Sequence, residues 1–116
     1  LRVLLKGFNS QTGSRMSAIV TRSGVAVAHV LPAEVPADNF ATMAATLLGA
    51  REVIYTSMKG TSPQQALVQT ENGTLVVRVI TQKAFLVALT NASPSDIARP
   101  LDETANRARG LLGKAS

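Results

Sequence analysis

The segment Ala84–Thr90 (AFLVALT) is apolar at almost every position rather than at alternate positions. A strand with one face in water alternates apolar and polar residues, so this pattern predicts a strand buried on both faces, at the centre of a sheet. Its uninterrupted apolar part, Ala84–Leu89, is the longest in the chain at six residues. A helix needs roughly 20 apolar residues to cross a bilayer. We therefore predict no membrane insertion. The chain has no cysteine and Leu1–Phe8 lacks the pattern of a signal peptide, so we predict a cytoplasmic protein.

Two pairs of β-rich segments precede this strand. Residues 17–21 and 25–30 flank Gly24, and glycine can take the positive φ that tight hairpin turns require. Residues 65–70 and 74–81 flank the pair Asn72-Gly73, which is the strongest short-range hairpin signal. Each pair is therefore predicted to form an antiparallel hairpin.

The two ends of the chain show helical periodicity. Leu1, Leu4, Leu5 and Phe8 share one helical face and predict a short first helix, which the loop-forming run 9–13 should end. A last helix is predicted from residue 93 or 94 onward. Pro100 should either kink that helix or mark its true start.

A helix between the hairpins, from Ala37 to about Ser57, carries two apolar stripes. Its start is indicated by Pro36 and by Asp38, which suits the positive end of the helix dipole. One stripe contains Phe40, Met43, Ala44, Leu47, Ile54 and Met58, and the other contains Ala41, Ala45, Leu48 and Tyr55. One stripe is enough for one core, so the second, with several small residues, predicts a surface covered by another chain. The alternative, a helix simply well buried in one domain, remains open.

Length and residue types limit the possible functions. The chain has 116 residues and 46% hydrophobic content, enough for one core and hence one domain, 1–116. There is no cysteine, His29 has no spaced partner, and no carboxylate pair lies in a strand or loop. The segment nearest to a phosphate-binding loop, GFNSQTGS at residues 7–14, has the wrong spacing and no lysine. We therefore predict no catalytic residue, no metal and no cofactor.

The net charge of +5 arises from scattered basic residues. A basic balance can indicate nucleic acid, an acidic partner or a membrane surface. The four aromatic residues lie mostly in apolar segments, where a core role is favoured over base stacking. We predict no binding to nucleic acid.

Three segments resemble the roadblock domain of dynein light chains and of bacterial and archaeal GTPase regulators. Residues 18–28 (AIVTRSGVAVA) are similar to the family's first hairpin, and residues 40–49 (FATMAATLLG) to its alanine-rich second helix. Residues 66–80 (ALVQTENGTLVVRVI), followed by 84–89, resemble its three-strand meander. The resemblance covers nearly the whole chain, although the first helix looks short and Pro100 interrupts the last one.

The resemblance implies an α+β fold of the order α-β-β-α-β-β-β-α, with a profilin-like architecture. The five strands would form an antiparallel sheet in the order 2-1-5-4-3, with the first and last helices on one face and the second helix on the other. Such domains dimerise by pairing second helices and by continuing the sheet through third strands. The predicted dimer interface is therefore formed by Ala41, Ala44, Ala45, Leu48, Tyr55, Leu67 and Gln69.

The function implied is a non-enzymatic dimeric regulator or scaffold of a small Ras-like GTPase. The dimer would contain two copies or one copy with another roadblock protein. A purely structural adaptor without effect on GTP turnover shares the same fold and stays open. A small-molecule sensor is disfavoured, because the apolar segments contain no convergent polar groups.

Overall fold

A computed structural model describes residues 1–57, 65–70 and 73–115, although not every side chain within them. Three helices and five strands follow one another as α1 (Arg2–Thr12), β1 (Met16–Thr21), β2 (Ala26–Val30), α2 (Ala37–Ser57), β3 (Gln65–Thr70), β4 (Gly73–Val79), β5 (Ala84–Thr90) and α3 (Pro94–Ala115). Every strand pair is antiparallel. The predicted α+β class with an antiparallel sheet is confirmed.

The apolar strand β5 lies at the centre of the sheet, whose order is β2-β1-β5-β4-β3. Val87 of β5 lies opposite Ala18 of β1 on one side and Val77 of β4 on the other. All but one of the β5 residues are buried. The central position predicted from its unbroken apolar sequence is therefore confirmed.

The alternating side chains of β5 divide the interior into two cores. Leu86 and Ala88 lie in the core beneath α1 and α3, whereas Phe85 and Val87 lie in the core beneath α2. Helices α1 and α3 also pack against each other. Burying one large aliphatic or aromatic side chain contributes about 1.5–3 kcal/mol. Both sheet faces therefore depend on their helical covers.

Helix α1 is longer than predicted, since residues 9–12 of the expected loop are helical. The hydroxyl of Thr12 donates to the carbonyl of Phe8 at 2.8 Å, which pairs a side chain that would otherwise favour a turn. Gly13 ends the helix at φ 69°, and the N–H of Ser14 donates to the carbonyl of Asn9 at 3.1 Å. Gly13 supplies the left-handed residue of a helix C-cap. Of the predicted loop 9–13, only this residue ends the helix.

Helix α3 runs through Pro100 without a break and begins at Pro94. A proline inside a helix loses one backbone hydrogen bond and strains the preceding turn. Ile97 and Leu101, on either side of Pro100, are both buried in the core beneath α1 and α3. Burial of these two side chains stabilises the helical turns on either side of Pro100. The predicted alternative, in which the last helix starts at residue 100, is therefore wrong.

Strand β4 ends at Val79, two residues before the predicted end at Thr81. The N–H groups of Ile80 and Thr81 both donate to the carbonyl of Ala84 at 3.0 Å, which closes the turn into β5. The hydroxyl of Thr81 accepts from the N–H groups of Lys83 and Ala84. These bonds replace strand pairing with a tight turn.

Strand β2 contains a bulge that the sequence did not reveal. Ile19 lies opposite Ala28 and Val20 opposite Ala26, so Val27 has no partner on β1. An extra residue of this kind bends and twists a strand and interrupts its ladder. The outer edge of β2 is therefore irregular.

Alanine substitutions at Gly73 and Gly110 test the backbone conformation at these two positions. Gly73 has φ 136°, and an added Cβ would lie 2.8 Å from the Thr90 carbonyl oxygen and from Oδ1 of Asn91. We expect Gly73→Ala to lower the free energy of unfolding by about 2 kcal/mol or more. Gly110 lies in α3 with open space around it. Gly110→Ala should therefore raise the free energy of unfolding by about 0.5–1 kcal/mol. Urea unfolding measures both, and equal stabilities would contradict the conformation of Gly73.

Candidate functional site

The inner side of α2 is formed by small and aromatic residues that face the sheet. Phe40 is nearly buried, and Ala41 and Ala44 are fully buried, in the core that also contains Phe85 and Val87 of β5. Ala45 is half-buried against the same core. The small alanine side chains let the helix backbone lie close to the sheet. They belong to the core of this chain and are not on its surface.

The outward side of α2 has a ridge of exposed, uncharged residues, Thr42, Met43, Thr46 and Gly49, which we call the outer ridge. Met43 is 45% exposed, high for a large apolar side chain. The Thr46 hydroxyl donates to the Thr42 carbonyl at 2.9 Å, so removing it from water leaves no unpaired donor. An added Cβ on Gly49 would meet nothing within 4 Å. Another surface could approach this backbone closely.

The turn between β1 and β2 lies beside the first half of α2. Gly24 in that turn has φ 92°, and an added Cβ would lie 3.6 Å from the Cα of Thr42. The N–H of Gly24 donates to the carbonyl of Thr21, and the N–H of Thr21 donates to the carbonyl of Val25. The positive φ predicted for this glycine is confirmed. The turn therefore lies beside Thr42 of the outer ridge.

Part of the predicted stripe assignment on α2 is wrong. Ala41, placed in the outward stripe, is fully buried against the sheet, and Met43, placed in the inward stripe, is exposed. Ala44, another predicted interface residue, is also fully buried, and Ala45 lies at the boundary. At about 100° per residue, Ala44 and Ala41 lie about 40° and 100° from Phe40 on one side, and Met43 lies about 60° from it on the other. The buried face is therefore centred on the side of Phe40 away from Met43. Leu48 and Tyr55, also predicted for the interface, lie in α2, but their side chains are not among those that the structure describes.

The sequence reasoning missed Thr42, Thr46 and Gly49 because it searched for apolar stripes. Their signal is the spacing of four and then three residues between them, on the side of the helix opposite Phe40. Small and uncharged residues at such spacing form a low ridge. An apolar pattern alone does not detect it.

The predicted interface residues of β3, Leu67 and Gln69, are both exposed. Leu67 lies opposite Val76 and Gln69 opposite Thr74 on β4. Residues that pair across antiparallel strands point to the same face, and Val76 belongs to the core beneath α1 and α3. Leu67 and Gln69 therefore lie on the sheet face opposite to α2. The structure does not bring them onto one continuous surface with the outer ridge.

The backbone edge of β3 is a separate feature of this region. In the part of the chain that the structure describes, β3 pairs with β4 on one side and with no strand on the other. An edge of this kind presents N–H and C=O groups that can pair with another strand. The candidate site therefore combines the outer ridge of α2 with the free edge of β3.

Few chemistry-bearing groups lie together in the described residues. His29 is exposed on the edge strand β2. Across residues 1–57, 65–70 and 73–115, no group of three or more histidine or acidic side chains is arranged to hold a metal ion. None of the helices described in these ranges has the length and apolar character needed to span a membrane.

Comparisons with known proteins show where this architecture recurs. The family model of the Roadblock/LC7 domain matches residues 2–90. A structure of MglB with a tetrameric arrangement is similar at a TM-score of 0.88 and 22% identity, covering 98% of this chain and 88% of that one. The Roadblock/LC7 domain from Streptomyces avermitilis is similar at 0.84 and 17% identity, covering 97% of each chain.

A more distant similarity is to profilin II of Acanthamoeba castellanii, at a TM-score of 0.59 and 17% identity, covering 94% of this chain and 93% of profilin. At these identities the three structures show a shared fold. Among proteins of curated function, no sequence matches this chain.

The two sides of α2 should respond differently to added volume. Ala44→Leu forces a larger side chain into the core beneath α2, so we expect the free energy of unfolding to fall by about 1–3 kcal/mol. Thr46→Leu, on the outer ridge, should change it by no more than about 0.5 kcal/mol. Urea unfolding followed by circular dichroism compares them. A neutral Ala44→Leu would show that Ala44 faces outward.

Proposed function

The chain belongs to the Roadblock/LC7 domain family, and on that premise we propose that it is a non-enzymatic regulator or scaffold of a small Ras-like GTPase. In this proposal it acts as a dimer in the cytoplasm, either of two copies or of one copy with another roadblock protein. The observation that carries it is the outer ridge of α2, a low, uncharged surface that no described residue covers. GTPase regulators occur in the roadblock family that the sequence resembles.

The chemistry of the outer ridge supports helix pairing. Two helices pack closely where small residues let their backbones approach, and Gly49 with two threonines provides such a surface. Met43 adds an apolar side chain that gains free energy when it leaves water. The described ridge has no charge that would have to be desolvated. Pairing two ridges about a two-fold axis would bury the same patch on both copies.

The free edge of β3 supports a second part of the same dimer. Strand β3 pairs with β4 in an unbroken register from Gln65 opposite Arg78 to Thr70 opposite Gly73. A regular edge strand is a template for strand addition, and burying it against another β3 removes its unpaired backbone groups. The exposed Leu67 next to this edge would be partly covered. Of the predicted interface, the pairing of third strands stays in the proposal, and the outer ridge of α2 replaces the buried side chains of Ala41 and Ala44.

A dimer of this kind would act on a GTPase without supplying a catalytic group. A rigid platform that binds one conformation of the switch loops better than another shifts the GTPase toward that conformation. Self-association has a parallel in a protein of the same fold, because MglB is described with a tetrameric arrangement. The role of this chain is then to position its partner.

The dimer is tested by placing a charge on the outer ridge. Met43→Asp puts a carboxylate where the proposed helices meet, so we expect light scattering to show the mass of a monomer, with the dissociation constant raised by at least about a hundredfold. The matched control, Ala98→Asp, puts the same charge on an exposed position of α3 and should leave the dimer intact. An unchanged mass for Met43→Asp would refute pairing through α2.

The regulatory role is tested by GTP turnover. We expect the dimer to change the single-turnover hydrolysis rate of a GTPase recovered with it from native cells by about tenfold or more, and the Met43→Asp variant to have lost this effect. The Ala98→Asp protein serves as the control. Binding of that GTPase with no change in turnover would instead identify a structural adaptor.

A further inference from the structure

A cavity of about 440 Å³ lies at the end of the sheet away from β3, between the β2 edge and the last turns of α3. Its apolar lining comes from Val27 of β2, Ala84 of β5 and Leu112 of α3. Val27 is the bulged residue of β2 and is 46% exposed, and the neighbouring Val25 is 57% exposed. Val27 therefore gives the cavity an accessible apolar side chain.

The charged lining of the same cavity is basic. Of the described residues that line it, Lys83 and Arg109 are charged and none is acidic. Arg109 is fixed in place, because its Nε donates to the Ile80 carbonyl at 2.9 Å and its Nη1 to Oδ1 of Asn106 at 3.1 Å. Other N–H groups of the guanidinium remain for a ligand. Lys83 is exposed in the tight turn that Thr81 stabilises.

We propose that this cavity binds a partner protein through a segment in which acidic residues flank an aliphatic one. The aliphatic side chain would contact Val27, Ala84 and Leu112, and the carboxylates would bind Lys83 and Arg109. Charge complementarity selects this occupant, since the described lining offers cations and apolar surface together. Hydrogen bonds between a carboxylate and a fixed guanidinium are among the stronger polar contacts in proteins.

A lipid surface suits the cavity less well. Basic patches that bind anionic membranes typically present about 4–8 lysines and arginines on an accessible face. Here two cations line a concave site between a strand edge and a helix. A recessed site with localised charge is typical of an anchor for one side chain and its neighbours.

The site does not depend on the proposed dimer. Strand β2 is at the opposite edge of the sheet from β3, and with strands about 4.8 Å apart the two edges are roughly 19 Å from each other. A dimer formed through β3 would leave both cavities accessible. The proposed dimer and the proposed binding cavity can therefore be refuted independently.

Binding can be measured with a short fluorescein-labelled peptide in which leucine alternates with glutamate. We expect saturable binding by fluorescence anisotropy, and amide shifts in NMR spectra at Lys83, Ala84 and Leu112. A peptide in which lysine replaces glutamate should not bind. Absence of saturable binding, or amide shifts confined to other regions, would overturn the proposal.

Two variants and a control locate the contacts. Lys83→Glu should raise the dissociation constant of the peptide by about tenfold or more, the size expected for losing a charge-assisted contact. Val27→Thr, which keeps the side-chain shape but replaces one methyl group by a hydroxyl, should raise the dissociation constant about threefold. Lys6→Glu makes the same charge change on an exposed residue of α1 outside the cavity and should raise it by less than about twofold.

Two results would refute the assignment to an acidic protein segment. Equal weakening by Lys83→Glu and Lys6→Glu would show attraction by net charge alone. The second is binding to phosphatidylserine vesicles that depends on Lys83, combined with no binding of the peptide. That result would make this a membrane-binding site.

Discussion

Burial of β5 on both faces is the constraint on which the rest of the structure depends. A strand whose side chains are apolar in both directions is stable only if each sheet face is covered. Leu86 and Ala88 require α1 and α3, and Phe85 and Val87 require α2. The helices are placed by this requirement, and with them the outer ridge of α2 and the cavity beside α3.

Much of the fold could be predicted from the sequence where one residue type dominates the local physics. The apolar run 84–90 predicted a central strand, and Gly24 predicted a turn with positive φ, because each depends on a strong local preference. Neighbouring strands are not specified by periodicity, so the strand order came from the family resemblance. The extent of α1 was missed because Thr12 bonds to Phe8, a contact that exists only once the helix has formed.

The candidate site was less predictable than the fold. Both stripes on α2 contain alanines, and alanine is compatible with a core and with a surface, so composition did not distinguish Ala41 from Met43. The structure distinguishes them, since the face that Ala41 shares with the buried Phe40 and Ala44 leaves Met43 outside it. Similarly, the face on which Leu67 lies follows from its register with β4, which no local pattern reports. Site residues were missed where their role depends on pairing across the fold.

The bulge in β2 has a consequence for how far the sheet can grow. A sheet with two regular free edges could add copies at both and extend into a fibre. Here β3 is regular, whereas β2 is short, carries Val27 without a partner, and has charged Lys83 close to its end of the sheet. Strand addition at β2 would meet an interrupted ladder, so the proposed pairing at β3 would give a closed assembly. In that assembly the irregular edge of β2 would stop further addition of copies.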